Sequence, residues 1–142
     1  MGMLDKWFGS TPDFPPLPAD NAARAKLDEI KAPLEELVGK VNDHLEVVPA
    51  EHEAYVYLGK PPKRFGIAWI HDGKLDGLKE LVDGNHLSQM DAQKMIVSLG
   101  AAYEHASDAP RYSMDIAGKT VVVIPSRKLG EEVHNIMESA IH

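Results

Sequence analysis

Apolar positions fall into two successive runs of the same kind: a long helical stripe, two short β-type segments, then a shorter stripe. In the first run, residues 20–83, Leu27, Ile30, Leu34, Leu37, Val38, Val41 and Leu45 recur every three or four positions and predict an amphipathic helix. Asp20 is its expected N-cap. Pro33 falls inside it and removes a ladder hydrogen bond, so a kink or a break near Ala32 is expected. Residues 54–58 and 64–70, rich in aromatic and β-branched side chains, predict two strands joined through Gly59-Lys60-Pro61-Pro62-Lys63. Asp72 then reads as the cap of a short helix carrying Leu75, Leu78, Leu81 and Val82, ended by Gly84.

The second run, residues 87–142, opens on Ser88 three residues before Asp91, a capping-box-like start. Ala92, Met95, Ile96, Leu99, Ala102, Tyr103 and Ala106 form one helical face. Residues 111–116 and 119–124 predict a hairpin across Ala117-Gly118. The apolar stretch Thr120-Val121-Val122-Val123-Ile124 should be a strand covered on both faces. Ser126 caps a last helix whose stripe is Leu129, Val133, Ile136, Met137 and Ala140.

These elements predict an α+β fold: a two-layer sandwich built from a repeated α-β-β-α unit, with an antiparallel sheet of about four strands and the long helices across one face. Residues 1–18 read as a flexible proline-rich arm and residues 19–142 as a single domain, with pseudo-repeats over about 20–83 and 87–142. The arm carries Trp7, Phe8 and Phe14, three of nine aromatic residues, so it is also a candidate for docking on its own domain or on a subunit partner. Gly39 and Gly100 occupy matching places in the two long helices. Each costs about 1 kcal/mol relative to alanine in a helix, so both are expected where backbones approach closely.

Composition narrows the function more than it names one. The chain has 142 residues, enough to bury one core. It has no cysteine, which removes disulfides, thiolate catalysis and cysteine-based metal or cluster sites, and favours a reducing cytoplasm. Its net charge of −7 argues against nucleic acid and anionic membranes as partners, since both demand a positive face. The longest unbroken apolar run, residues 121–125, is far short of the roughly 20 residues a membrane helix needs. The first eight residues lack the apolar segment of a signal peptide, and Lys6 stands where a myristoylation signal requires Ser or Thr.

Candidate chemistry is sparse. No two of the seven histidines have the three- or four-residue spacing of a helical metal pair, so no metal ligand and no cofactor is expected. Glu51-His52-Glu53 sets a histidine between carboxylates in a loop. The best catalytic candidates are His71 and Asp72, just after an apolar strand, where a histidine beside a carboxylate could act as a general base, helped by Lys74, Tyr103 or His105. Lys60, Lys63 and Arg64 cluster in the first hairpin and are candidate anion ligands, although lysines also guard strand edges. No phosphate-binding loop or dinucleotide fingerprint is present. The sequence therefore favours a non-catalytic binding or regulatory module, an acidic cytoplasmic adaptor or chaperone-like protein with a protein partner and a possible homodimer. The alternative is a small enzyme or cofactor-binding protein with its site near His71-Asp72.

Overall fold

The computed structural model describes residues 14–84 and 87–141. Helices α1 (Ala22–Glu29) and α2 (Lys31–Lys40) lead into four strands, β1 (Leu45–Ala50), β2 (Glu53–Lys60), β3 (Arg64–His71) and β4 (Lys74–Gly77). Helices α3 (Leu78–Asp83) and α4 (Gln89–His105), the hairpin β5 (Tyr112–Ile116) and β6 (Lys119–Val123), and helix α5 (Arg127–Ala140) follow. The expected break in the first helix lies at Ile30, between α1 and α2. Pro33 is tolerated in the first turn of α2, where a backbone N–H has no helical partner to lose. The N-cap of α1 is Asn21, whose Oδ1 accepts the Ala23 N–H, rather than Asp20. Ser88 and Ser126 cap α4 and α5 by accepting the Asp91 and Leu129 N–H groups.

The sheet has six strands in the order β4-β3-β2-β1-β6-β5. All neighbours are antiparallel except β1 and β6, which are parallel. This corrects the expectation of about four antiparallel strands, and two strands account for the difference. β1 was hidden because Leu45 continues the spacing of the preceding helical stripe, while Val47 and Val48 have no alternation to betray a strand. β4 was hidden behind Asp72-Gly73. Both residues have positive φ, 51° and 72°, the signature of a two-residue hairpin turn. Asp72 therefore turns β3 into β4 and caps no helix; α3 begins only at Leu78. Ala117-Gly118, with φ of 51° and 83°, makes the same turn between β5 and β6.

Alternation along the strands builds two cores. Leu45, Val47, Val56, Ile70, Val121 and Val123 face α1 and α2 and pack with Leu27, Ile30, Leu34 and Leu37. Val48, Tyr55, Tyr57, Ile67 and Val122 face the other way, against Met95 and Leu99 of α4 and Leu129, Val133 and Met137 of α5. The helices thus cover both faces of the sheet, making three layers where two were expected. A central strand that is apolar on both faces can only be satisfied this way. The repeated unit is not reproduced either. Four strands follow α2 and two follow α4, and the two helix sets lie on opposite faces.

The boundary of the folded body also moves. Pro16 bridges Ser113 on the outer edge of β5, with Leu17 N–H donating to the Ser113 carbonyl at 2.9 Å and Ser113 N–H to that of Pro15 at 2.8 Å. Leu17 is 1% exposed in the first core, and Arg24 donates to its carbonyl. Residues 14–18 therefore belong to the domain and shield a sheet edge, rather than to a free arm. Trp7 and Phe8 lie outside the described residues. The paired-glycine expectation fails. Gly39 is exposed with open space around it, whereas a side chain at Gly100 would meet the Pro62 carbonyl at 3.2 Å and Phe65 at 3.5 Å. Gly100 brings α4 onto the β2–β3 turn, not onto another helix.

Candidate functional site

Side chains facing α4 and α5 hold most of the chemistry. Glu46, on central strand β1, is the buried charged residue of this face, 5% exposed. Tyr103 of α4 reaches both its oxygens, at 2.8 and 2.9 Å; His44 Nε2 lies 3.3 Å away and Arg111 Nε 3.7 Å. The Arg111 guanidinium stands over the Tyr103 ring and donates to the Ala106 and Ala109 carbonyls beyond the C-terminus of α4. A buried carboxylate must be paired and hydrogen-bonded, and this one is. Tyr103 and Arg111, but not Glu46, border a shallow cleft of about 530 Å³ with Phe14 and Pro62. Burial, with the Glu46 charge second, pushes the Tyr103 hydroxyl up to about 12.

Burial also raises Tyr55 and Tyr57, the former aided by Glu53. Each of these three hydroxyls keeps its proton to higher pH folded than unfolded, where tyrosine ionises near pH 10. Their contribution is fully present below about pH 10 and is lost as pH rises through the folded values, about 12 for Tyr103. Alkaline titration followed together by phenolate absorbance and circular dichroism should show these hydroxyls ionising only as the chain unfolds, above about pH 10. Ionisation of all three with the fold intact near pH 10 would contradict the burial assigned to them.

A second constellation lies where β2 meets α5. The Tyr55 hydroxyl donates to Glu53 Oε1, and its oxygen is 2.8 Å from His134 Nδ1. His134 Nδ1 is also 3.3 Å from Glu53 Oε1, and its Nε2 is 3.0 Å from Glu138. The hydroxyl has one proton to give, so with that proton on Glu53, Nδ1–H is the donor to Tyr55. Glu53 and His134 line a cleft of about 640 Å³ with Lys26, Pro49, Ala50, Glu51, Arg127, Gly130, Glu131 and Asn135.

The third feature is a groove of about 610 Å³ between α4 and α5, lined by Lys94, Met95, Ala101, Glu132, Ile136 and Ala140 among others. Met90 and Val97, 67% and 74% exposed, are also carried by α4 but are not among the groove's lining.

The residues singled out from sequence are placed differently. His71 stacks on Trp69 with ring centroids 3.5 Å apart and hydrogen-bonds Asp76 at 2.7 Å; Asp72, in the turn, is 3.4 Å away with its side chain 88% exposed. His71 lines none of these clefts, and Asp76 rather than Asp72 orients it. Lys60 pairs with Arg64 across the end of the first hairpin. Both are exposed, as is Lys63, and none of the three lines a cleft described above. Phe14 packs against the second core. His52 does not converge with Glu51 and Glu53: it bonds Glu29 at 2.7 Å, which raises its pKa at a fully exposed site. Among the described residues, no three His, Asp or Glu side chains are grouped to hold a metal ion, and no helix is long and apolar enough to cross a membrane.

Glu46, Tyr55 and His134 escaped sequence reading as site residues, and Glu53 entered it only as a neighbour of His52. The one available signal was an acid inside the apolar run Leu45-Glu46-Val47-Val48, which is unusual enough to require a buried partner. No protein-family model matches the chain, and no curated protein and no solved structure matches it.

Proposed function

We propose that this chain is a non-catalytic binding module that receives an amphipathic helix of a protein partner along α4 and α5. The observation that carries this reading is the exposure of Met90 and Val97. Among the described residues these are the large hydrophobic side chains left open to solvent, and they lie two turns apart on one side of α4. On the same helix Met95 and Ala101 line the groove, and α5 adds Ile136 and Ala140, an apolar floor of the kind into which a partner helix lays its apolar face. Methionine suits such a surface because its unbranched side chain repacks readily. Asp91 and Glu132 on the groove wall and the chain's net charge of −7 favour a partner with a basic flank, and disfavour nucleic acid.

The alternative of a small enzyme or cofactor binder at His71-Asp72 draws less support. His71 is held by Trp69 and Asp76 at a sheet end and lines none of the clefts described above. A homodimer through an open sheet edge is also less favoured. Residues 14–17 cover β5, and β4 is a four-residue edge bearing Lys74 and Asp76.

The test uses a synthetic leucine–lysine amphipathic helix titrated into isotopically labelled protein. Amide signals of α4 and α5 should shift, and Val97→Glu, at a solvent-facing position, should weaken binding by about tenfold or more. Shifts elsewhere, equal binding by the Val97→Glu variant, or self-association that competes with the peptide would overturn the reading.

A further inference from the structure

The cleft between the β1–β2 turn and α5 adjoins that helix-binding surface across α5, with Asn135 lining both. It opens beyond Ala50, at the carboxyl end of β1, and β1 is parallel to β6, whose own carboxyl end leads into α5. Lys26 reaches it from α1 on one side of the sheet, and Arg127, Gly130, Glu131 and His134 from α5 on the other. Crevices at the carboxyl ends of parallel strands, between helices on opposite faces, are where open α/β sheets take small ligands. The volume of about 640 Å³ is within the range of small-molecule sites.

The charges in the cleft are arranged unevenly. At the mouth, Lys26 faces Glu51 at 3.7 Å and Arg127 faces Glu131 at 3.0 Å, with the Glu51, Arg127 and Glu131 side chains 80%, 90% and 64% exposed. Those pairs neutralise one another in solvent. The inner carboxylate is Glu53, its side chain 20% exposed. One of its oxygens is fixed by Tyr55 and His134; the other has no hydrogen-bond partner among the described residues. Tyr55, 1% exposed, cannot turn away, so the carboxylate is held in a set direction before any ligand arrives. An oriented, largely desolvated carboxylate with an open acceptor binds an N–H cation more strongly than a surface acid does.

We propose that this cleft is a binding site for a small ligand bearing a primary ammonium or a guanidinium group, with Glu53 as its anionic anchor, held by Tyr55 and His134. A free amine and a lysine or arginine side chain of a peptide share that chemistry. The experiment therefore has two arms, 1,4-diaminobutane and a lysine-containing tripeptide, each titrated into the labelled 142-residue chain, with sodium acetate as the control. Saturable shifts are expected at residues 50–53 and 130–135 with an amine but not with acetate, and the arm that binds more tightly names the source. Glu53→Gln, which keeps shape and removes charge, should weaken binding by about tenfold or more. Tyr55→Phe, which frees the carboxylate to rotate, should weaken it less than Glu53→Gln does. No saturable shift up to about 10 mM, a Kd range where binding free energy is near 3 kcal/mol, would overturn the proposal. So would shifts that map elsewhere or binding unchanged in Glu53→Gln. Should Glu53→Gln fail to fold, the amine-versus-acetate shift map of the unaltered chain decides.

Discussion

Glu46→Ala is expected to destabilise the chain by about 3–5 kcal/mol, read as a lowered midpoint in urea at unchanged slope. The cost does not come from losing the carboxylate itself, whose burial is already expensive. It comes from what stays behind: an Arg111 side chain only 11% exposed, without its counter-charge, and a Tyr103 hydroxyl without its acceptor. Tyr103→Phe removes one hydrogen-bond donor to a charged group and should cost about 1.5–3 kcal/mol. The Tyr103 and Glu46 substitutions touch the same bond, so combining them should cost less than their sum. A loss below about 1 kcal/mol for Glu46→Ala would mean that water reaches the network and that it does not tie α4 to the sheet.

Leu17→Ala should cost about 2–5 kcal/mol, since it empties a side-chain site that is 1% exposed in the core beneath α1 and α2. The backbone bonds of Leu17 to Ser113 and its carbonyl's bond to Arg24 survive the substitution, so the measurement isolates packing. A free proline-rich arm would give a change within about 0.5 kcal/mol, as surface positions do. Thermal or urea unfolding separates these outcomes cleanly.

Both results turn on residues whose importance local pattern conceals. Leu17 sits among Pro15, Pro16 and Pro18, which read as extended chain, and that reading is right about its conformation. What it omits is the edge of β5, nearly a hundred residues later, where the extended chain finds hydrogen-bond partners in Ser113. Glu46 is an acid in an apolar run, visible as an anomaly, but Tyr103 lies 57 residues away in sequence. Glu53 and His134 lie 81 apart. No spacing rule links them, because they meet only when α4 and α5 pack on the sheet.

Helices α4 and α5 and the β5–β6 hairpin were determined by the sequence alone. Their information is local: Ser88 and Ser126 each satisfy an amide within three residues, apolar positions repeat at the helical period, and Ala117-Gly118 turns one strand directly onto the next. The break in the first helix was equally local, since Pro33 is accommodated without losing a ladder bond in a first turn. Strand β1 was decided by tertiary structure. Its residues continue a helical spacing, and they become a strand because β2 and β6 offer ladder partners on both edges and helices offer apolar cover on both faces. Hydrogen bonds and burial of that kind come from segments remote in sequence, so no window around Val47 contains them. The layer count, the parallel pairing and the burial of Glu46 follow from that one central strand.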